Sequence, residues 1–331
     1  MQQELNNKSY CSTVEILRGL AALAVCMFHF TKGYVSETGW IRSVFQNGWI
    51  GVEVFFVISG FVITYSLLGS NYRFKDYGKF LMKRILRIEP TYFFSIILIL
   101  ILGYLSSLNP GFKGKPFEIS ISLLFQHFGY FVDLLGNDWF NPVYWTLAIE
   151  FHYYLIIGLL IAIWNLNKSW LTTVTILSLV LLSFLNLNVD SLVQYLDIFV
   201  IGIVTAFYKK EKFKMVYYIS LTVMLFICIY INHGLLISSL TCLTALLISF
   251  FSDLRGGRVM LFLGKISYSL YLLHVPVGGR IINLAKRLDL SEIQKLGIVF
   301  LALFISILAS AIVYYLIESP SHNFSKKIRL V

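Results

Sequence analysis

Val14–Thr31 reads VEILRGLAALAVCMFHFT, apolar enough to enter a membrane, yet it holds Glu15, Arg18 and His29. Ionisable groups at membrane depth are costly and face a protein interior or a water-filled cavity. Arg18 and His29 lie eleven positions apart. Eleven steps of about 100° return nearly to the starting direction and rise roughly 16 Å along the axis. One helix face therefore carries a fixed cation low down and a titratable imidazole about half a bilayer higher. The chain is organised around an axis that runs across a membrane.

The other residues agree. Apolar residues make up 58% of the 331, charged residues 13%, and mean hydropathy is +0.77, which excludes an ordinary soluble domain. The apolar runs are continuous rather than alternating, which excludes a transmembrane β-barrel. The fold class is an all-α polytopic membrane protein. Spans are expected at 12–32, 48–69, 91–108, 143–164, 170–187, 191–208, 215–232, 235–252, 260–279 and 294–317, each near the roughly twenty residues a membrane helix needs. The stretch 117–131, FEISISLLFQHFGYF, is short for a span. It is read as a re-entrant or interfacial helix, with an eleventh span as the alternative.

Net charge is +10, but the basic residues sit in short clusters between spans, a topology and lipid-contact signal rather than a nucleic-acid surface. Arg73, Lys75, Lys79, Lys83, Arg84 and Arg87 precede the third span. Lys209–Lys214, Arg255 with Arg258, and Lys326–Arg329 supply the later clusters. With ten spans and both termini cytoplasmic, all four fall inside, while 132–142 and Asn188–Asp190 fall outside. Arg280, Lys286 and Arg287 run against that bias. The four cysteines show no CxxC spacing and read as buried free thiols, with no metal site. No internal repeat is found, which weighs against an inverted-repeat transporter.

Under this topology His29, Glu53, Glu150 and His274 fall at similar heights in the outer half, with Trp145 and Tyr271 nearby. Lys83, Arg84 and Arg87 form a basic platform on the inner side, below Arg18. Each residue alone also fits a packing role. An intramembrane His or Glu often satisfies a neighbouring helix, Glu15 neutralises Arg18 at i−3, and Lys83–Arg87 orients the protein. Together, at compatible depths, they suggest two classes. One is an enzyme that binds an anionic donor inside and reacts near the outer face. The other is a proton-coupled transporter of a small anionic or sugar substrate, with His and Glu as the relay. The Arg84–Arg87 pair and the lack of repeats favour the enzyme.

Six segments, in order and across essentially the whole chain, resemble the integral membrane acyltransferases of acyltransferase family 3. EILRGLAALAVCMFH resembles the opening motif, giving Arg18 and His29; GVEVFFVISGFVI resembles the second-span motif, with Glu53 and Ser59. FLMKRILRIEP resembles the Arg-x-x-Arg segment, giving Arg84 and Arg87, and VYWTLAIEFHYYL supplies Trp145 and Glu150. LGKISYSLYLLHVP and YYLIESP resemble the last two motifs, with His274 and Glu318.

The resemblance implies an O-acyltransferase of the cytoplasmic (inner) membrane, using acyl-CoA, commonly acetyl-CoA, to acylate a hydroxyl of an envelope polysaccharide or glycan. On it, His29 is the expected general base, since imidazole titrates near neutrality, and Glu150 or Glu53 orients it. Arg84 and Arg87, helped by Lys83, are expected to hold the CoA phosphates, and Arg18 the thioester or pantetheine arm. Trp145, Ser59, Tyr271 and His274 are supporting residues; an acyl-enzyme on His29 or Ser59 is the alternative course. Many relatives carry a second, extracytoplasmic hydrolase-like domain. A single membrane acyltransferase domain over 1–331, without that domain, is expected here.

Overall fold

Backbone polar groups inside a bilayer must be satisfied within the segment, so continuous apolar runs fold as helices. The computed structural model describes residues 2–108, 120–166, 168–185, 191–251 and 254–329. It is 81% helix, with no strand among the described residues. The expected outer segment Asn188–Asp190 and residues 117–119 lie outside the described residues.

In order, the helices are α1 (Gln2–Thr31), α2 (Trp40–Phe45), α3 (Gly51–Leu67), α4 (Tyr77–Ser107), α5 (Ile121–Gly129), α6 (Tyr144–Trp164), α7 (Ser169–Leu182) and α8 (Leu196–Lys209). There follow α9 (Met215–His233), α10 (Leu235–Phe250), α11 (Arg258–Lys265), α12 (Ser267–Leu273), α13 (Gly279–Ala285), α14 (Glu292–Val313) and α15 (Ser319–Lys326). Seven described helical stretches are long and apolar enough to cross a membrane: Ser12–Thr31, Trp40–Leu67, Phe74–Ser107, Tyr144–Trp164, Leu192–Lys209, Met215–His233 and Glu292–Lys326. The expected count of ten is not reached by length and composition. At its other three positions stand the shorter apolar helices Trp170–Leu182 and Leu235–Phe250, and the pair Arg258–Lys265 and Ser267–Ala285, bent by 60°.

One boundary is corrected and one short helix is delimited. Residues 79–87 are not a loop before the third span, because α4 begins at Tyr77 and runs through Pro90 without interruption. Proline forfeits one helical hydrogen bond, and the apolar positions on either side of it carry the helix through. The Lys83–Arg87 cations are thereby fixed on a rigid element. The stretch 117–131 contains the nine-residue α5, about 14 Å long and too short to span. Ile121, Phe125 and Phe128, at i, i+4 and i+7, are exposed along one side of it, as in a helix lying at an interface.

Lipid tails are as apolar as leucine, so helices in a bilayer associate through close packing at small residues. Trp40–Leu67 and Leu192–Lys209 are 72% buried along their most apolar stretches, against 28% for the stretches containing α4, α9 and α14. Helices α3 and α8 therefore form the centre. A Cβ added at Gly60 would fall 2.2 Å from the Phe199 carbonyl oxygen, and one at Gly202 2.1 Å from that of Val57. Gly202→Ala is expected to destabilise the fold by about 1–3 kcal/mol through overpacking, read as a lower melting temperature in detergent. On α4, Phe93, Ile97, Ile101 and Leu105 are exposed at helical spacing, forming a lipid-facing stripe.

α5 is pinned by His127. Its Nδ1 bonds the Leu123 carbonyl at 2.8 Å and its Nε2 accepts the Phe140 amide at 3.0 Å, so the ring is the neutral Nδ1–H tautomer. Burial holds its pKa below the ordinary value. A histidine kept neutral contributes stability that is complete above the unfolded pKa of about 6.5 and is lost as pH falls below it. The protection factor of the Phe140 amide against hydrogen exchange, measured relative to the intrinsic rate at each pH, is accordingly expected to fall as pH drops below about 6.5.

Candidate active site

Helices α1, α3, α4, α6, α11, α12 and α15, with the segment Tyr314–Glu318, enclose a cavity of about 220 Å³. One end carries Arg18 and Glu15 from α1, Arg84 and Arg87 from α4, and His322 from α15, with Glu318 and Lys265 beside them. The elements supply these residues for a simple reason. α1 and α4 start at this end, while α14 and α15 finish there. The far end is walled by Val52, Phe55, Thr146 and Tyr271.

At the Arg end, Arg84 is enclosed, its guanidinium carbon 5.4 Å from the Phe80 ring centre and 5.8 Å from that of Tyr154. Its Nε is buried with no hydrogen-bond partner among the described residues. A buried guanidinium with an idle donor is an incomplete arrangement that an anion completes. Arg87 lines the same space, with Glu318 and His322, four positions apart in sequence, also in the wall. Glu318 is held by the Ser269 amide and hydroxyl. Close packing fixes α1 against α11 here, since a Cβ at Gly264 would lie 2.1 Å from the Glu15 carbonyl oxygen.

In the middle, Ser59 Oγ donates to Glu150 Oε1 at 2.7 Å. Both face the cavity, so a hydroxyl and a carboxylate are presented together. Tyr271 at the far end is fixed by a 2.8 Å hydrogen bond to Thr146 and leads to His274, their ring centres 5.9 Å apart. The His274 ring lies 5.2 Å from that of His29, so the two imidazoles form a pair. His274 Nδ1 bonds the Tyr271 carbonyl at 2.8 Å, while its Nε2 is buried without a partner among the described residues. Carbonyl oxygens accept only, so the proton is on Nδ1 and Nε2 offers a bare lone pair. This histidine begins a π-helical segment, His274–Gly278, and Glu318 ends a second, Tyr314–Glu318; such irregular turns recur at functional sites.

Of the residues singled out in the sequence, Arg18, Ser59, Arg84, Arg87, Glu150 and Tyr271 share the cavity wall. His29 and His274 adjoin its far end through Tyr271. Three stand apart. Lys83 is half-buried outside the wall, and Trp145 packs on Tyr195 at 5.8 Å. Glu53 shares a helix face with Val57 and Gly60, the residues that meet α8, and interacts with His233. No hydrogen bond among the described residues joins Glu53 or Glu150 to His29.

The sequence reading did not include Lys265, His322, Tyr268 or Tyr154 in the site, all of which line the cavity. It also passed over Arg42, which is buried and reaches the end of α1 by bonding the Phe28 carbonyl and Thr31 Oγ1 at 3.3 and 3.1 Å. A cation there complements the helix dipole and anchors the turn that holds His29.

A family model described as an acyltransferase domain, the third acyltransferase family, matches residues 12–316. O-acetyltransferase OatA of Staphylococcus aureus is 24% identical over 326 residues, covering 83% of this chain and 52% of OatA. A candidate O-acetyltransferase of S. aureus strain COL is 26% identical, covering 94% and 57%. A candidate acetyltransferase of Acidianus two-tailed virus is 30% identical over 173 residues, covering 52% and 47%. The chain thus spans about half the length of these curated relatives. No solved structure matches it at a significant level.

Proposed function

Because the chain belongs to the third acyltransferase family, we propose that it is a membrane O-acyltransferase that moves an acetyl group from acetyl-CoA, or another acyl group from its CoA ester, to a hydroxyl of an envelope glycan. The observation that carries the reading is one cavity with the guanidinium groups of Arg84 and Arg87 at one end and the imidazole pair just past the other. In this reading the protein lies in the cytoplasmic membrane with both termini inside, and its seven long spans are completed to ten by the two shorter apolar helices and the bent pair.

Arg84 and Arg87 receive the CoA phosphates at the cytoplasmic mouth, because planar guanidinium forks match phosphate oxygens. Lys83, just outside, adds to the attraction, and Arg18 meets the pantetheine arm as it passes inward. His29 takes the proton of the acceptor hydroxyl; the hydroxyl oxygen attacks the thioester carbonyl, the C–S bond breaks, and the CoA thiolate takes up a proton. His274 sets the position of His29. Glu150 steadies positive charge along the path through Ser59 rather than by direct contact with His29. Glu53 acts at a distance, from the α8 face. Mass spectrometry of envelope glycans tests the reading. Cells carrying the protein should show glycans heavier by one acetyl group, and unchanged glycans in every fraction would overturn it.

A further inference from the structure

A second and larger cavity, about 610 Å³, lies between the last turns of α4 and the segment through α13. Its chemistry divides in two. One wall is apolar, from Ile99, Leu102 and Leu105, spaced three apart on α4. Leu105 and Leu284 are 55% and 65% exposed, so this wall is open towards the lipid side. The other wall carries Arg280 and Arg287. Arg280 bonds the Ser106 hydroxyl, which places it at the end of the apolar length of α4. Neither arginine pairs with a carboxylate among the described residues. These are also the cations that oppose the positive-inside bias, so topology alone does not account for them.

We propose that this cavity binds the phosphate-bearing headgroup of a lipid, its hydrocarbon chain along the α4 wall and its phosphate between Arg280 and Arg287. Guanidinium forks suit phosphate oxygens, and the adjoining apolar groove separates a lipid from a free anion. Position gives the site a use. Val275 and Pro276 in the cavity wall directly follow His274, whose ring pairs with that of His29. Asn141, also in the wall, donates to the Leu272 carbonyl at 3.0 Å, tying the cavity to the same turn. A lipid-linked sugar seated here presents its hydroxyls to the imidazole pair. That use rests on the proposed acyl transfer; the binding itself does not.

Native mass spectrometry of the detergent-purified protein tests binding with no donor present, so its failure is separate from failure of the transfer assay. The probes are a polyprenyl phosphate, phosphatidylglycerol and inorganic phosphate. Arg287→Ala, at an exposed position, is expected to weaken lipid binding about five-fold, and Arg280→Ala with Arg287→Ala further. Leu105→Trp, which fills the apolar wall, should weaken it with both arginines intact. Preference for the polyprenyl phosphate supports the site with a lipid-linked acceptor as its source. Equal, arginine-dependent binding of phosphatidylglycerol supports it with bulk anionic lipid as the source. Lipid binding indifferent to all three substitutions, or inorganic phosphate binding as tightly as either lipid, overturns the proposal.

Discussion

His29→Ala is expected to lower acyl transfer by at least about a hundredfold, the usual contribution of a general base, while the protein still accumulates in the membrane and binds the donor. The separation follows from geometry. Arg18 and His29 are roughly 16 Å apart on one helix, and the guanidinium groups of Arg84 and Arg87 lie at the Arg18 end of the cavity. Losing the imidazole leaves that end untouched. Comparing transfer rate with acyl-CoA affinity in the same purified protein checks this. Equal loss of both would mean that the substitution disturbs the fold. An unchanged rate would remove His29 from the chemistry.

The converse result is expected at the other end. Arg84→Ala with Arg87→Ala should weaken acyl-CoA binding by about a hundredfold or more, since each charge-assisted hydrogen bond contributes about 1.5–3 kcal/mol. Isothermal titration against the acyl-CoA reads the loss directly. Arg84→Lys is informative as well. Lysine keeps the charge but loses the planar fork, so affinity should recover only in part. The idle, buried Nε of Arg84 gives this prediction its footing. An affinity equal to that of the unsubstituted protein would return these residues to a role in orienting the chain.

The membrane class and the helical fold were legible because apolar runs report their own length. The Arg18–His29 axis was legible because helical periodicity needs no tertiary knowledge. Other features depended on neighbours. Nothing in FLMKRILRIEP says that α4 continues through Pro90; the proline alone reads as a boundary. The 60° bend beside Ile266 has no proline or glycine pair to announce it within 265–267. Glu53 stands at the same height as Glu150, and height was all that hydropathy supplied. The direction in which it points was decided by Gly60 and Gly202, which draw α3 against α8. Lys265 and His322 reach the cavity only because α11 and α15 fold back against α1 and α4. An exposed terminal cation and one that lines a cavity look alike in a sequence.

In the proposed mechanism the donor enters at the arginine end, from the cytoplasm, and the chemistry happens at the imidazole end. Sealed membrane vesicles of the two orientations, made from cells expressing the protein and given radiolabelled acetyl-CoA outside, test it most directly. Vesicles with the cytoplasmic face outward should incorporate label into their glycans, and right-side-out vesicles should do so only after permeabilisation, with none in either case for His29→Ala. Incorporation by sealed right-side-out vesicles would contradict the account.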